Sequence, residues 1–174
     1  MEAKYPQYWP QFYTATVQDW KPLFSTVVFK QMIVESLQFL VAEKRIVLNA
    51  FVIMSNHIHL IWQPLSNETL TSIQSSFMKY TARGFKKELE STDKLLLESY
   101  QVKKGDRKYQ FWKRDSLSIE LRTASVFAQK LEYIHYNPVW AGLCKYPEEY
   151  YFSSARFYHV GNDEFKMLAY YSRN

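Results

Sequence analysis

The sequence predicts an α+β fold of the ferredoxin-like split βαβ type, an antiparallel sheet with helices on one face. Three observations carry that prediction. Stretches with strand and helix periodicity follow one another in the order β-α-β-β-α-β, with one further helix after them. An apolar run from Ile46 to Met54 is β-branched and apolar on both faces, the pattern of a buried strand. No Pro/Ser-rich linker, internal repeat or composition break divides the 174 residues, a length that suits one domain, expected to span 1–174.

The elements follow in order. A first strand is expected around Gln11 to Val17, where Phe12, Thr14 and Thr16 alternate with Tyr13, Ala15 and Val17. A helix should run from about Ser25 to Lys44, burying Ile33, Leu37, Leu40 and Val41. Arg45 to Met54 reads as a central strand. Ser55-Asn56 is a turn signal, and His57 to Gln63 forms the second strand of the hairpin. From Leu70 to Leu89 a helix should set Leu70, Ile73, Phe77 and Gly84 on one side and Lys79, Arg83, Lys86 and Lys87 on the other. Residues 91–110 are polar and hold Lys103, Lys104, Arg107 and Lys108 around Gly105, which reads as a basic loop or finger. A strand near Gln110 to Leu121 and a helix from about Ala124 complete the pattern. That helix should end near Asn137, because Pro138 disfavours a helical conformation in the residue before it. Residues 144–174 form an aromatic-rich C-terminal tail without a clear period.

Composition narrows the function classes. Only four glycines argue against collagen-like and low-complexity readings, and a single cysteine, Cys144, excludes a disulfide framework and suits a reducing cytoplasm. The longest apolar run is far short of the ~20 residues that span a bilayer, so no membrane partner is expected. The first residues lack a signal-peptide pattern. A net charge of +5 and fourteen tyrosines remain, a combination to test against nucleic acid. The excess charge has one location: Lys79 to Arg114 holds eleven Lys/Arg against five Asp/Glu. Such a patch fits a phosphate-binding surface, although a solvated helix face is also basic in many proteins.

Two constellations carry chemistry. His57 and His59 are two apart on a strand, so both imidazoles project from one face, where two rings can meet a single divalent ion. Two histidines do not complete a site, and a third ligand is required. Further on, Tyr133 and Asn137 are four apart and share a helix face. Tyrosine can act as a covalent nucleophile once its hydroxyl is activated, and the Asn137 amide can cap the helix or reach a metal. His135 is an alternative third ligand, but at two residues from Tyr133 it points about 200° away.

These residues lie in blocks with a family resemblance. Met54-Ser-Asn-His-Ile-His-Leu-Ile-Trp62 resembles the His-hydrophobic-His block of the single-strand tyrosine transposases of the insertion-sequence-200-like superfamily, within the HUH endonucleases. Tyr133-Ile-His-Tyr-Asn-Pro-Val-Trp-Ala-Gly-Leu143 and Tyr151-Phe-Ser-Ser-Ala-Arg-Phe-Tyr158 resemble the REP-associated tyrosine transposases. The similarity spans about Gln11 to Tyr158. It implies a ferredoxin-like fold of the HUH nuclease type and cut-and-rejoin chemistry on single-stranded DNA beside a hairpin. By position, Tyr133 would be the nucleophile, leaving a 5′-phosphotyrosine link and a 3′-hydroxyl. His57, His59 and Asn137 would bind Mg²⁺ or Mn²⁺, with no nucleotide cofactor. Lys79 and Arg83 match basic helix positions facing DNA, with Lys86, Lys87, Lys103, Lys104, Arg107 and Lys108 as further DNA-binding candidates. Trp140 stands where the family usually has a basic residue. The resemblance fits a cytoplasmic, nucleoid-associated enzyme acting as a monomer or homodimer. The alternative is a non-catalytic binder of structured nucleic acid that retains the fold.

Overall fold

The protein is described from a computed structural model that places residues 9–65, 68–103 and 105–172. Lys104 lies outside the described residues. Four strands, β1 (Gln11–Thr16), β2 (Ile46–Ile53), β3 (His57–Pro64) and β4 (Leu117–Glu120), pair in the order β2-β3-β1-β4. Every pairing is antiparallel, which is the expected split βαβ sheet. The two crossover helices, α1 (Val27–Ala42) and α2 (Leu70–Thr92), pack on one face of it.

Two of the long helices begin where a threonine side chain satisfies a free backbone donor. Thr69 Oγ1 accepts from the Ser72 amide at the start of α2, and Thr123 Oγ1 accepts from the Val126 amide at the start of α4 (Ala124–Trp140), both at 3.1 Å. α2 buries Ile73, Phe77, Thr81, Phe85 and Leu89, a three-to-four-residue stripe, and leaves Lys79, Arg83, Lys86 and Lys87 exposed. Strand alternation then sorts the core into two layers. Tyr13, Ala15, Leu48, Phe51, Ile58, Leu60 and Trp62 face α1 and α2. Phe12, Ala50, Val52 and Ile61 face the other way, against Phe127 and Ile134 of α4.

Four expectations need correction. β2 is at an edge of the sheet, not its centre. It is apolar on both sides because one face packs on α1 and α2 and the other on α4, while C-terminal residues cover its outer edge: Leu48 bridges Leu168, Val52 bridges Ser153, and Asn49 Nδ2 donates to the Ala169 carbonyl at 2.9 Å. Within 91–110, read as loop, a short helix α3 (Lys94–Glu98) forms, capped by Asp93 and anchored by buried Leu97. The strand expected over Gln110 to Leu121 shrinks to Leu117–Glu120, because Phe111 and Trp112 are pulled under α2, where Trp112 Nε1 donates to Thr81 Oγ1 at 3.0 Å. Finally, α4 runs through Pro138 to Trp140. Proline already has a helical φ, and the turn is closed beyond it by the Ala141 amide on the Asn137 carbonyl and the Leu143 amide on the Pro138 carbonyl. The tail also contains α5 (Ala155–Val160), ended by Gly161 in the left-handed region at φ 70°.

Candidate active site

The β3 alternation sets His57 and His59 on the face opposite α1 and α2, with ring centroids 4.9 Å apart. The β1–β3 register places Thr14 beside His59, and Thr14 Oγ1 lies 2.7 Å from His59 Nδ1. Phe12, two residues earlier on the same face, stacks on the His59 ring at 5.4 Å. α4 crosses this face and brings Tyr133 against His59, with centroids 5.2 Å apart, and against Phe12 at 5.9 Å. Asn137, one turn on, hydrogen-bonds the His57 side chain. Two histidines from a strand and two groups from a helix therefore meet, each pair on the shared face that its spacing predicted.

Hydrogen bonding orients the imidazoles. Asn56 Nδ2 donates to the Trp20 carbonyl at 3.3 Å, which turns Asn56 Oδ1 toward His57 Nδ1 at 2.7 Å. An amide oxygen only accepts, so Nδ1 of His57 carries the hydrogen and Nε2 carries the lone pair. Thr14 Oγ1 engages Nδ1 of His59, a contact in which the hydroxyl can donate or accept; when it accepts, the Nε2 lone pair of His59 is left for a ligand. Burial lowers both histidines below the ordinary range. His59 is taken down to about 3, with His57 and Lys130 adding repulsion. Both rings are thus neutral, the state a metal ligand requires.

A divalent ion fits these donors. Among the described residues no cluster of three or more His, Cys, Asp and Glu exists to hold one, and the further donor at hand beside the two imidazoles is the Asn137 amide. Two imidazoles and an amide are all neutral, which leaves the full ionic charge to be balanced by an anionic substrate.

Lys130, one turn before Tyr133 on α4, is a residue that sequence reasoning missed. Its Nζ lies 4.8 Å from the centroid of Phe12 and 5.7 Å from that of Tyr133. Its i,i+3 relation to Tyr133 was the available signal. Thr14, Phe12 and Asn56 were missed for another reason, since their places depend on strand pairing and the turn. His135 points away, as its spacing required: Nε2 meets Ser154 Oγ at 2.9 Å, and burial, together with His159, takes it down to about 3.

The basic candidates lie on the other side of the sheet. Lys79, Arg83 and Arg107 line a groove of about 890 Å³ between α2 and the 105–116 segment. Lys113 and Arg114, not singled out from the sequence, line it too. Lys87 and Lys103 are exposed outside it, Lys86 pairs with Glu90 at 3.4 Å, and Lys108 sits over Tyr109 at 5.3 Å. Successive residues of β1 serve both regions: Tyr13 lines the groove, while Phe12 and Thr14 abut His59.

No protein-family model and no curated protein matches the chain. Solved structures do. The structure of a REP-associated tyrosine transposase bound to a REP hairpin superposes with a TM-score of 0.61 at 16% identity, covering 96% of this chain and 92% of that one. The chain has the fold of a REP-associated tyrosine transposase. A protein from Deinococcus radiodurans R1, provisionally assigned as a transposase, superposes with a TM-score of 0.51 at 12% identity, over 77% of this chain and 94% of that one. The REP-associated transposase fold thus accommodates the His block on β3 and the Tyr block on α4 in one chain, within a few ångströms of each other. Among the described residues, no helix is long and apolar enough to cross a membrane.

Proposed function

We propose that this protein is a metal-dependent single-stranded DNA endonuclease and strand transferase acting beside hairpin DNA through a 5′-phosphotyrosine. The observation that carries the reading is the meeting of His57, His59, Asn137 and Tyr133 on one sheet face from two separate elements. His57, His59 and Asn137 would hold Mg²⁺ or Mn²⁺. When bound, such an ion supplies charge neutralisation and polarisation at the scissile phosphate.

The chain's own residues do the rest. Tyr133, 38% exposed, keeps its ring open to solvent while Phe12 and His59 hold one edge of it. Its oxygen forms a bond to phosphorus as the bond to the 3′ oxygen breaks. The tyrosyl proton is lost, and the departing 3′ oxygen ends as a hydroxyl. Rejoining is the reverse attack by a 3′-hydroxyl on the phosphotyrosine, which conserves the bond and needs no nucleotide cofactor. Lys130 is the cation over the ring and would stabilise negative charge developing on phenolic and phosphoryl oxygens. The groove lined by Lys79, Arg83, Arg107, Lys113 and Arg114 receives the hairpin backbone, and the unpaired strand rounds the sheet to Tyr133. The similar transposase is bound to a REP hairpin, which supports this partner.

The deciding experiment incubates the protein with single-stranded hairpin DNA and Mn²⁺ and looks for a covalent protein–DNA adduct on a denaturing gel. The wild type is expected to form it and Tyr133→Phe is not. A persistent adduct in Tyr133→Phe, or undiminished activity in chelator, refutes the assignment. The non-catalytic alternative has one observation behind it, since the basic groove and the histidine face are on opposite sides of the sheet. Tight, salt-dependent hairpin binding with no adduct under any divalent ion would establish that alternative.

A further inference from the structure

α4 continues through buried Pro138 for two more residues, and this extension puts Trp140 on the same ridge as Tyr133. Trp140 is 63% exposed, and Tyr136 is 37% exposed beside it. The Trp140 ring centroid is 5.7 Å from Tyr133 and 6.1 Å from Tyr136, with ring planes 57° and 32° apart. The two tyrosine rings therefore prop the indole from the side and leave it open to solvent. Lys130 stands on the opposite flank of Tyr133, one turn earlier. Along the ridge the order is cation, proposed nucleophile, open aromatic rings.

We infer that Trp140, propped by Tyr136, is a stacking platform for the unpaired nucleobase next to the phosphate that Tyr133 attacks. The inference rests on the proposed function for its substrate and adds the element that holds the single strand in place. Charge complementarity selects this occupant: a single strand presents an anion and a flat ring at every nucleotide, and the ridge presents Lys130 and the indole in matching alternation. A second copy of the chain is a poor fit. Three rings that are already partly covered offer roughly 300 Å² at most, against the ~800 Å² per partner of a stable interface. Trp140 is a positioning residue that binds the neighbouring nucleotide and takes no part in bond making. The platform contacts a base and not the backbone, and confers tolerance of any base that can stack.

The test is a binding measurement in the Tyr133→Phe background, where strand cleavage does not intervene. Affinity is measured for a hairpin with a single-stranded extension and for the same hairpin without it, in Mg²⁺. Trp140→Ala should weaken the extended hairpin about tenfold, the loss of one base–aromatic stack, and leave the blunt hairpin unchanged. Trp140→Phe should restore most of that affinity. An abasic site walked along the extension should cost about tenfold at one position, and nothing further once Trp140→Ala is present. Equal losses on both hairpins, or an abasic penalty that persists in Trp140→Ala, overturns the platform. So does a dimer in sedimentation that depends on Trp140, which would assign the ridge to self-association. A protein that binds neither DNA refutes the proposed function as well, whereas an extension bound equally by Trp140→Ala refutes the platform alone.

Discussion

Among the described residues, the sheet face beneath α1 and α2 and the loops around them buries twenty-eight apolar residues, and the face beneath α4 buries eight. The first includes Trp62 stacked on Tyr13 at 4.9 Å, with Phe77, Phe85 and Trp112 around them. The second surrounds two neutral histidines, a half-open tyrosine and a lysine held over aromatic rings. Burying imidazoles and leaving aromatic rings half open both weaken a fold. The larger face is what allows the smaller one to carry these groups. Stability and the proposed chemistry are divided across the thickness of a single sheet, with alternate residues of β1 and β3 serving each.

The division can be broken from either side. His59→Ala is expected to reduce the single-turnover rate of adduct formation at least a hundredfold, while the free energy of unfolding in urea falls by only ~1–2 kcal/mol. Trp62→Ala should do the opposite, costing ~3–5 kcal/mol of stability through the cavity it leaves. At low temperature, where Trp62→Ala remains folded, its adduct rate should stay near wild type. If the two substitutions affected both readouts equally, the two faces would not be separable.

Lys130→Met tests a smaller effect on the chemical side. Loss of one charge-assisted contact, ~1.5–3 kcal/mol, should slow adduct formation roughly ten- to a hundredfold at saturating DNA, with Lys130→Arg retaining most of the rate. On the stability side, pH provides the probe. His135 is held near about 3 in the folded protein, chiefly by burial, against ~6.5 in the unfolded chain. Above pH ~6.5 it is neutral in both states and its contribution is fully present. As pH falls below that, the unfolded chain takes up a proton that the folded chain refuses, so stability declines toward pH ~3. Between pH 7 and pH 5 the loss from this group is about 2 kcal/mol. His135→Gln, which can keep a hydrogen bond to Ser154, should remove that share of the decline in urea melts. The smallest effect concerns the groove. Lys79→Gln and Arg83→Gln should each reduce the slope of log affinity against log salt by about 1, without changing the adduct rate at saturating DNA.

Local pattern was enough to read most of the architecture. The alternation in Gln11–Thr16, Ile46–Ile53 and His57–Pro64 and the stripe in Leu70–Thr92 placed three strands and a crossover helix within a few residues. Failures arose where tertiary contacts overrode local signals. Apolar content on both faces of Ile46–Ile53 signalled burial but could not say whether a strand or the chain's own C-terminal residues supplied the cover. Pro138 disfavours a helical conformation in its neighbour, whereas its own burial beneath the helix end favours continuation. The site was half legible for a related reason. His57, His59, Tyr133 and Asn137 are pairs at i,i+2 and i,i+4, spacings fixed by the local backbone. Phe12 and Thr14 reach His59 only through the β1–β3 register, which no local rule supplies.

The covered edge of β2 also bears on how the chain is made. Asn49 reaches its partner Ala169 across 120 residues of sequence. At a synthesis rate of roughly 5–20 residues per second, the apolar segment Ile46–Ile53 waits about 6 to 24 s for the residues that close its open side. During that interval it presents an unpaired, uncharged strand edge, the feature most prone to join a neighbouring chain. The finished fold leaves that edge covered, so its exposure is confined to the seconds of synthesis.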